Sequence, residues 1–133
     1  MYARETRLQL SGVVGPVEVL VNGLEKPRAL ALICHPHPLH GGSLENKVVF
    51  TLARACRDSG VIAVRFNFRG VGGSAGIYDK GLGEALDAEC LFKRFQSALP
   101  GMPVLLIGHM DTVFEPSSPI QKWDRRGRTA VGP

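Results

Sequence analysis

The feature that most limits what this chain can fold into is an unbroken apolar run at residues 29–34, ALALIC. A strand with one face in solvent alternates apolar and polar residues, so this run predicts a central strand covered on both faces. Strands of this kind belong to parallel sheets that are joined by helices. The run therefore favours an α/β fold with helices packed against the sheet.

The rest of the pattern predicts an open α/β sheet. Alternation in residues 6–11 and 17–21 indicates an N-terminal antiparallel hairpin, with its turn at residues 12–16. Core strands are predicted at residues 61–68 and 103–108, and a helical segment precedes each of them. Because these strands alternate with helices, we expect parallel pairing through right-handed helical crossovers.

Each predicted helix has one apolar face. The first should begin after Ser43 or Asn46, either of which can cap it, and should end at Gly60. The second contains Glu89 and Lys93, an i,i+4 ion pair. The apolar positions are Val48, Val49, Leu52, Ala55 and Cys56 in the first helix, and Ala85, Ala88, Leu91, Phe92, Phe95 and Leu99 in the second.

Composition excludes several classes of protein. The 133 residues suit one core, and 44% hydrophobic with 21% charged residues is ordinary for a globular domain. No apolar run approaches the roughly 18 to 20 residues of a membrane span, and no signal peptide follows Met1, so we expect a cytoplasmic protein without a membrane partner. The cysteines Cys34, Cys56 and Cys90 are expected to be small buried residues rather than disulfides.

The net charge of +4 is spread thinly and gives little support for a nucleic-acid partner. The densest basic stretch, from Lys122 to Arg128, has only Trp123 beside it and is interpreted as a solvated segment. From about Glu115 onward the periodicity disappears. We therefore predict a partial domain at residues 1–108 and an irregular tail at residues 109–133.

Ligands of open α/β sheets bind beyond the carboxyl ends of the strands, which places the candidate site in three loops. They are residues 35–42, residues 69–76 and the residues from His109 onward. The first offers three histidines and a Gly-Gly pair whose backbone N–H groups can approach an oxyanion. Two other interpretations stay open: His35 and His37 brace the loop, or the histidines bind a metal, although their spacing fits metal poorly.

The second loop, RGVGGSAG, has glycine spacings seen in phosphate-binding turns but lacks the Lys-Ser/Thr that follows in a P-loop. It is therefore interpreted as a tight structural loop braced by Arg69 rather than as a nucleotide site.

Residues 33–49, ICHPHPLHGGSLENKVV, and 65–76, RFNFRGVGGSAG, resemble small bacterial α/β hydrolases related to dienelactone hydrolases and esterases. The resemblance covers about residues 1–108 and implies a truncated α/β-hydrolase-like sheet. It also implies an oxyanion loop containing His40, Gly41 and Gly42, and a G-x-S-x-G nucleophile elbow after the last strand. At that elbow the chain has Met110 in the serine position and Thr112 in the position of the second glycine.

Residues 104–133 resemble a piece of the zinc-dependent glutamate carboxypeptidase and acetylornithine deacetylase family, through the H-x-D at His109 and Asp111. That resemblance implies His109 as a zinc ligand and Asp111 as the carboxylate that orients it. One imidazole is too few, because catalytic zinc normally takes three protein ligands.

The first resemblance implies an incomplete α/β-hydrolase-like protein with the family's ester or acyl-hydrolase chemistry, and we expect negligible turnover by this chain alone and no cofactor. A completed enzyme would act on a small acyl or ester substrate. The alternatives are a noncatalytic module that self-associates through an exposed sheet edge, or part of a zinc-dependent peptidase. A gene fusion, a frameshift or an assembly error would each join two such segments.

Overall fold

The computed structural model describes residues 4–108, which form one mixed five-stranded sheet with helices on both faces. The strands are β1 Arg4–Ser11, β2 Pro16–Gly23, β3 Ala29–Ile33, β4 Val61–Phe66 and β5 Val104–Ile107. The helices are α1 Lys47–Asp58 and α2 Leu82–Ala98, and a 3₁₀ turn, Pro38–His40, follows β3. In space the strands lie in the order β1-β2-β4-β3-β5.

Both the predicted hairpin and the predicted parallel core are present. β1 pairs antiparallel with β2, and β2 continues antiparallel onto β4, with Val19 opposite Phe66. β3 lies between β4 and β5 and is parallel to both, so Ala31 faces Ala63 on one side and Leu105 on the other. All five residues of β3 are buried, as the unbroken apolar run predicts.

Two apolar clusters hold the helices against the sheet. Fully burying one large apolar side chain contributes about 1.5–3 kcal/mol, so both clusters stabilise the packing of the helices on the sheet. On the α2 face the buried residues include Leu30, Leu32, Val64, Phe66, Ala85, Ala88 and Leu91. On the α1 face they are Ile33, Val49, Ala53 and Ala63.

The predicted bounds differ from the observed ones mainly at β4. The apolar pattern predicts a strand as far as Phe68, whereas β4 ends at Phe66. Beyond it, the Asn67 N–H donates to the Glu18 carbonyl at 3.0 Å, and the Phe68 N–H donates to His35 Nε2 at 3.1 Å. The His35 side chain therefore accepts the Phe68 N–H in place of the carbonyl of a neighbouring strand, and the chain leaves the sheet.

Smaller predictions hold in part. Asn46, rather than Ser43, occupies the N-cap of α1, but its side chain accepts from the Ser43 N–H instead of capping the helix. The ammonium of Lys93 lies 3.9 Å from the Glu89 carboxylate. All three cysteines are free. Cys34 is buried, as predicted, and burial raises the pKa of its thiol to about 12, whereas Cys56 and Cys90 are only partly buried.

No helix within residues 4–108 is long and apolar enough to cross a bilayer. The predicted tail and the predicted domain boundary after residue 108 lie outside the described residues.

Candidate active site

The carboxyl ends of β3, β4 and β5 meet at one edge of the sheet because the three strands are parallel. The loop after β3 and the glycine-rich loop after β4 both leave from this edge. β5 lies next to β3 as the last strand of the sheet and ends at the same edge, where Gly108 is the last described residue. This is the edge where an α/β sheet binds its ligands.

His35 braces the two loops. It is fully buried, its ring packs edge-on against Phe68 with centroids 4.6 Å apart, and its Nε2 accepts the Phe68 N–H. That bond assigns the proton to Nδ1, which lies 2.7 Å from the Pro36 carbonyl and donates to it. Burial lowers the pKa of His35 to about 4. A neutral imidazole with both nitrogens engaged serves as a structural tie rather than as a general base.

His37 organises the turn that follows. Its Nδ1 accepts the Leu39 N–H at 3.1 Å, and its carbonyl accepts the N–H groups of His40 and Gly42, each at 3.0 Å. Its ring stacks on that of His40 with centroids 4.4 Å apart. On the other side, His37 Nε2 lies 3.3 Å from the Tyr78 hydroxyl.

The three predicted oxyanion-loop residues therefore have different surroundings. The N–H groups of His40 and Gly42 already donate within the turn, whereas Gly41 is exposed in the left-handed region at φ 82°. Gly42 is buried, and a Cβ there would lie 1.9 Å from the Pro36 carbonyl oxygen. Close packing inside the loop requires this glycine. The oxyanion role of the loop stays a prediction.

The glycine-rich loop at residues 69–76 is braced as predicted. Arg69 makes a two-pronged ion pair with Asp87 of α2, in which Nε and Nη2 each lie 2.8 Å from a carboxylate oxygen. Both side chains are buried. The bonds to Asp87 raise the pKa of Arg69 despite its burial, so the guanidinium remains charged. Ser74 adds a second tie, since its hydroxyl donates to the Asn67 carbonyl at 2.6 Å.

Glu18 of β2 joins the same loop to the sheet. Its carboxylate accepts the Gly73 N–H at 2.7 Å and the Asn67 amide at 2.8 Å, and it forms an ion pair with Arg7. The Gly73 bond, together with Asn67 and Arg7, lowers the pKa of Glu18 against the opposing effect of burial. Asn67 in turn accepts the Leu44 N–H at 2.8 Å, so the two site loops share one polar network.

Sequence reasoning missed several of these residues. Asp87 could have been found, because it is a charge within the apolar stripe of α2, one turn before Leu91. Asn67 interrupts an apolar run and also carried a signal. The alternation of β2 predicts that the Glu18 side chain faces water, so nothing in the sequence indicated its bonds to Asn67 and Gly73. Tyr78 lies in a loop without periodicity.

The other predicted site residues lie outside the described part of the chain. These are the predicted metal ligand His109, the elbow position Met110 and the orienting Asp111. Within residues 4–108 there is no group of three or more His, Cys, Asp or Glu side chains that could hold a metal ion.

Comparison with known proteins identifies the fold. No protein-family model matches the chain. An uncharacterized protein of Rickettsia prowazekii is 38% identical over 102 residues, which are 76% of this chain and 43% of that protein.

Two solved structures are similar in both sequence and shape. An α/β serine hydrolase without a lid from Xanthomonas campestris is 39% identical with a TM-score of 0.73, and the match covers 79% of this chain and 50% of that one. An α/β serine hydrolase homologue from Coxiella burnetii is 43% identical with a TM-score of 0.70, covering 81% and 52%.

The described residues thus have an α/β-hydrolase-like fold, and the chain spans about half the length of these relatives. The resemblance of residues 104–133 to zinc-dependent peptidases receives no support from these comparisons.

Proposed function

We propose that this chain carries the oxyanion side of an ester or acyl hydrolase and does not turn over substrate by itself. One observation supports this most directly. The two braced loops meet at the edge where β5 ends, as acyl-transfer chemistry on this fold requires, but the sequence then places Met110 where the nucleophile belongs.

Acyl hydrolysis on this fold needs an activated hydroxyl, a base that takes its proton and donors for the oxyanion. A methionine thioether has no proton to lose and forms no acyl-enzyme intermediate. His35 cannot supply the base, because both of its ring nitrogens are bonded and burial lowers its pKa to about 4. The chain therefore offers loop backbone and scaffold, and a complete enzyme must supply the rest.

A chimera tests the scaffold half of this proposal. Residues 109–133 are replaced by the segment that follows the matching strand in the Xanthomonas campestris hydrolase, and hydrolysis of p-nitrophenyl acetate is measured. We expect the natural chain to show the buffer rate and no labelling by a fluorophosphonate probe, whereas the chimera hydrolyses the ester and is labelled. Turnover by the natural chain, or a folded chimera without activity, would contradict the proposal.

A second candidate function rests on the open edge of β5. Within the described residues, β5 is bonded to β3 on one side only, and all four of its residues are half-buried. An unpaired strand edge is a template for another chain. This favours a noncatalytic module that associates through β5, and association that rises with protein concentration would distinguish it from the first candidate.

A further inference from the structure

A second side chain besides His35, that of Asn67, joins the two loops of the candidate site. Asn67 directly follows β4 and is 5% exposed. Its amide nitrogen donates to the Glu18 carboxylate at 2.8 Å, and its amide oxygen accepts the Leu44 N–H at 2.8 Å. Glu18 holds Gly73 of the glycine-rich loop, whereas Leu44 ends the loop after β3. Each end of the amide therefore serves a different loop.

The chemistry of the two partners requires an amide at this position. The Gly73 bond lowers the pKa of Glu18, so its carboxylate is ionised at neutral pH and only accepts hydrogen bonds. The Leu44 N–H only donates. An asparagine offers one donor and one acceptor, whereas an aspartate of the same shape would set an acceptor against Glu18. The partners thus also assign which end of the amide is the nitrogen.

The glycine-rich loop closes over the bond between Glu18 and Asn67. A Cβ on Gly72 would lie 2.5 Å from Asn67 Nδ2 and 2.7 Å from a Glu18 carboxylate oxygen. The Ser74 hydroxyl accepts the Glu18 N–H at 2.9 Å and donates to the Asn67 carbonyl at 2.6 Å. The amide is therefore enclosed by the loop, and its displacement must move protein groups on one side or the other.

Leu44 is held on both of its peptide groups. It is fully buried, and its carbonyl accepts Arg65 Nη1 at 3.3 Å while its N–H donates to Asn67. Side chains alternate along a strand, so Arg65 and Asn67 point to the same face of the sheet. The loop after β3 is thus fixed at its start by His35 and at its end by Asn67.

We propose that Asn67 is a positioning residue for the site: held at one end by Glu18, it sets where the loop after β3 lies relative to the glycine-rich loop. The role rests on the proposed function, in which the backbone at residues 40–42 receives the acyl oxygen. Asn67 acts through Leu44 rather than on the substrate. Position matters there because a misplacement of about 1 Å can cost about a hundredfold in rate.

The natural 133-residue chain tests the positioning without any turnover. Asn67→Asp keeps the shape of the side chain but sets a carboxylate against Glu18, so the side chain should turn away and move Leu44. We expect the amide signals of Leu44 and Gly42 to be displaced in nitrogen-15 correlation spectra at neutral pH. Unchanged signals at both residues would overturn the proposal. If Asn67→Asp does not fold, Glu18→Ala gives the same test, because it releases the same end of the amide.

Acid should reverse the displacement in Asn67→Asp. Two carboxylates in contact raise the pKa of one of them above the ordinary aspartate value of about 3.9. Arg7 pairs with Glu18 and favours its ionised form, so the proton goes to the introduced aspartate. The protonated side chain donates to Glu18 and accepts from Leu44, as asparagine does. Differences from the natural chain at equal pH should therefore vanish on acidification, and their persistence would contradict action through Glu18.

Gln9→Glu is the matched control. Gln9 of β1 pairs opposite Glu18, is exposed, and reaches the Gly73 carbonyl at 3.5 Å. The change adds the same charge beside Glu18 and the glycine-rich loop, but Gln9 is not the acceptor of the Leu44 N–H. We expect the Gly73 signal to move while Leu44 and Gly42 keep their natural positions. Equal displacement of Leu44 by both variants would overturn the proposal.

The chimera with the Xanthomonas campestris segment relates loop position to catalysis. In it, Asn67→Asp should lower kcat for p-nitrophenyl acetate by at least about tenfold and leave KM within about twofold. Gln9→Glu should change neither constant. An active chimera whose kcat is unaffected by Asn67→Asp would overturn the positioning role. A folded chimera without activity would contradict the proposed function instead, and the amide signals of the natural chain would still support or overturn the positioning.

Discussion

Gly42 and His35 show how single residues shape the loop after β3. Gly42 is required because the Pro36 carbonyl lies where a side chain would begin. His35 is required because its two nitrogens match one donor and one acceptor, the Phe68 N–H and the Pro36 carbonyl. Both requirements are steric or hydrogen-bonding demands of the fold, and they exist whether or not the loop ever meets a substrate.

Substituting the two adjacent glycines separates packing from backbone strain. Gly41→Ala places a Cβ in open space and costs only the left-handed conformation, about 1–2 kcal/mol. Gly42→Ala forces the Pro36 peptide to move, an overpacking cost of about 3 kcal/mol or more. We expect the larger loss for Gly42→Ala in urea unfolding. Equal losses in the free energy of unfolding would show that the Pro36 peptide moves to accommodate the new Cβ at no extra cost.

The low pKa of His35 makes stability depend on pH. The unfolded histidine titrates near 6.5 and the folded one near 4, so between these values the unfolded state binds more protons. The free energy of unfolding should therefore fall by roughly 3 kcal/mol as pH drops from about 6.5 to about 4, and His35 should contribute no slope above that window. Urea unfolding across this range measures the effect.

Glu18 also stabilises the folded state less as pH falls, because its folded pKa is lowered, but this loss begins only below 4.5, the usual pKa of a glutamate. His35→Gln provides the control, since it removes the imidazole while the carboxylates remain. The wild-type slope between about pH 5 and about pH 6.5 should disappear in this variant. A variant that keeps the slope would assign it to other groups.

At the scale of elements, the glycine-rich loop is an irregular segment made rigid by side chains from three directions. Glu18 of β2 holds Gly73, Ser74 bonds back to Asn67, and Arg69 is tied to Asp87 of α2. The loop is thus fixed to both the sheet and the helix.

Breaking the tie to α2 should loosen this loop selectively. Asp87→Asn removes the close counter-charge of a buried guanidinium and leaves only the half-exposed Asp79 carboxylate at 3.9 Å, a loss of up to about 3–5 kcal/mol. The exposed pair of Arg57 and Asp58 is the control, because Asp58→Asn should change stability by less than about 1 kcal/mol. Hydrogen exchange should accelerate at residues 70–76 in Asp87→Asn only. Unchanged exchange there would mean that the ion pair between Arg69 and Asp87 does not order the loop.

At the scale of the whole molecule, the sheet has two edge strands among the described residues. β1 pairs only with β2 and β5 only with β3, but β1 carries the charged residues Arg4, Glu5 and Arg7, whereas the residues of β5 are all apolar. The carbonyls of Pro103 and Ile107 accept bonds from the β3 side. By the two-residue period of a strand, the backbone groups of Val104 and Leu106 point to the open side.

Proline at one of these positions tests whether that edge pairs with a second chain. Leu106→Pro removes an outward N–H without touching the bonds to β3, so it should abolish any concentration-dependent association in sedimentation velocity. Leu106→Ala loses the side chain but keeps the N–H, and it should associate like the natural chain. If the two variants behave alike, the backbone edge is not the contact.

The sequence by itself determined the type and order of the elements, because periodicity is a local property. The unbroken run at residues 29–34 marked β3, and the apolar stripe marked α2. Only the tertiary structure decided that β4 lies between β2 and β3, and that β4 ends where His35 takes the Phe68 N–H. It likewise decided the partners of Glu18 and Asp87, which lie far from them in sequence. Such contacts arise from how elements dock, and no local spacing encodes them.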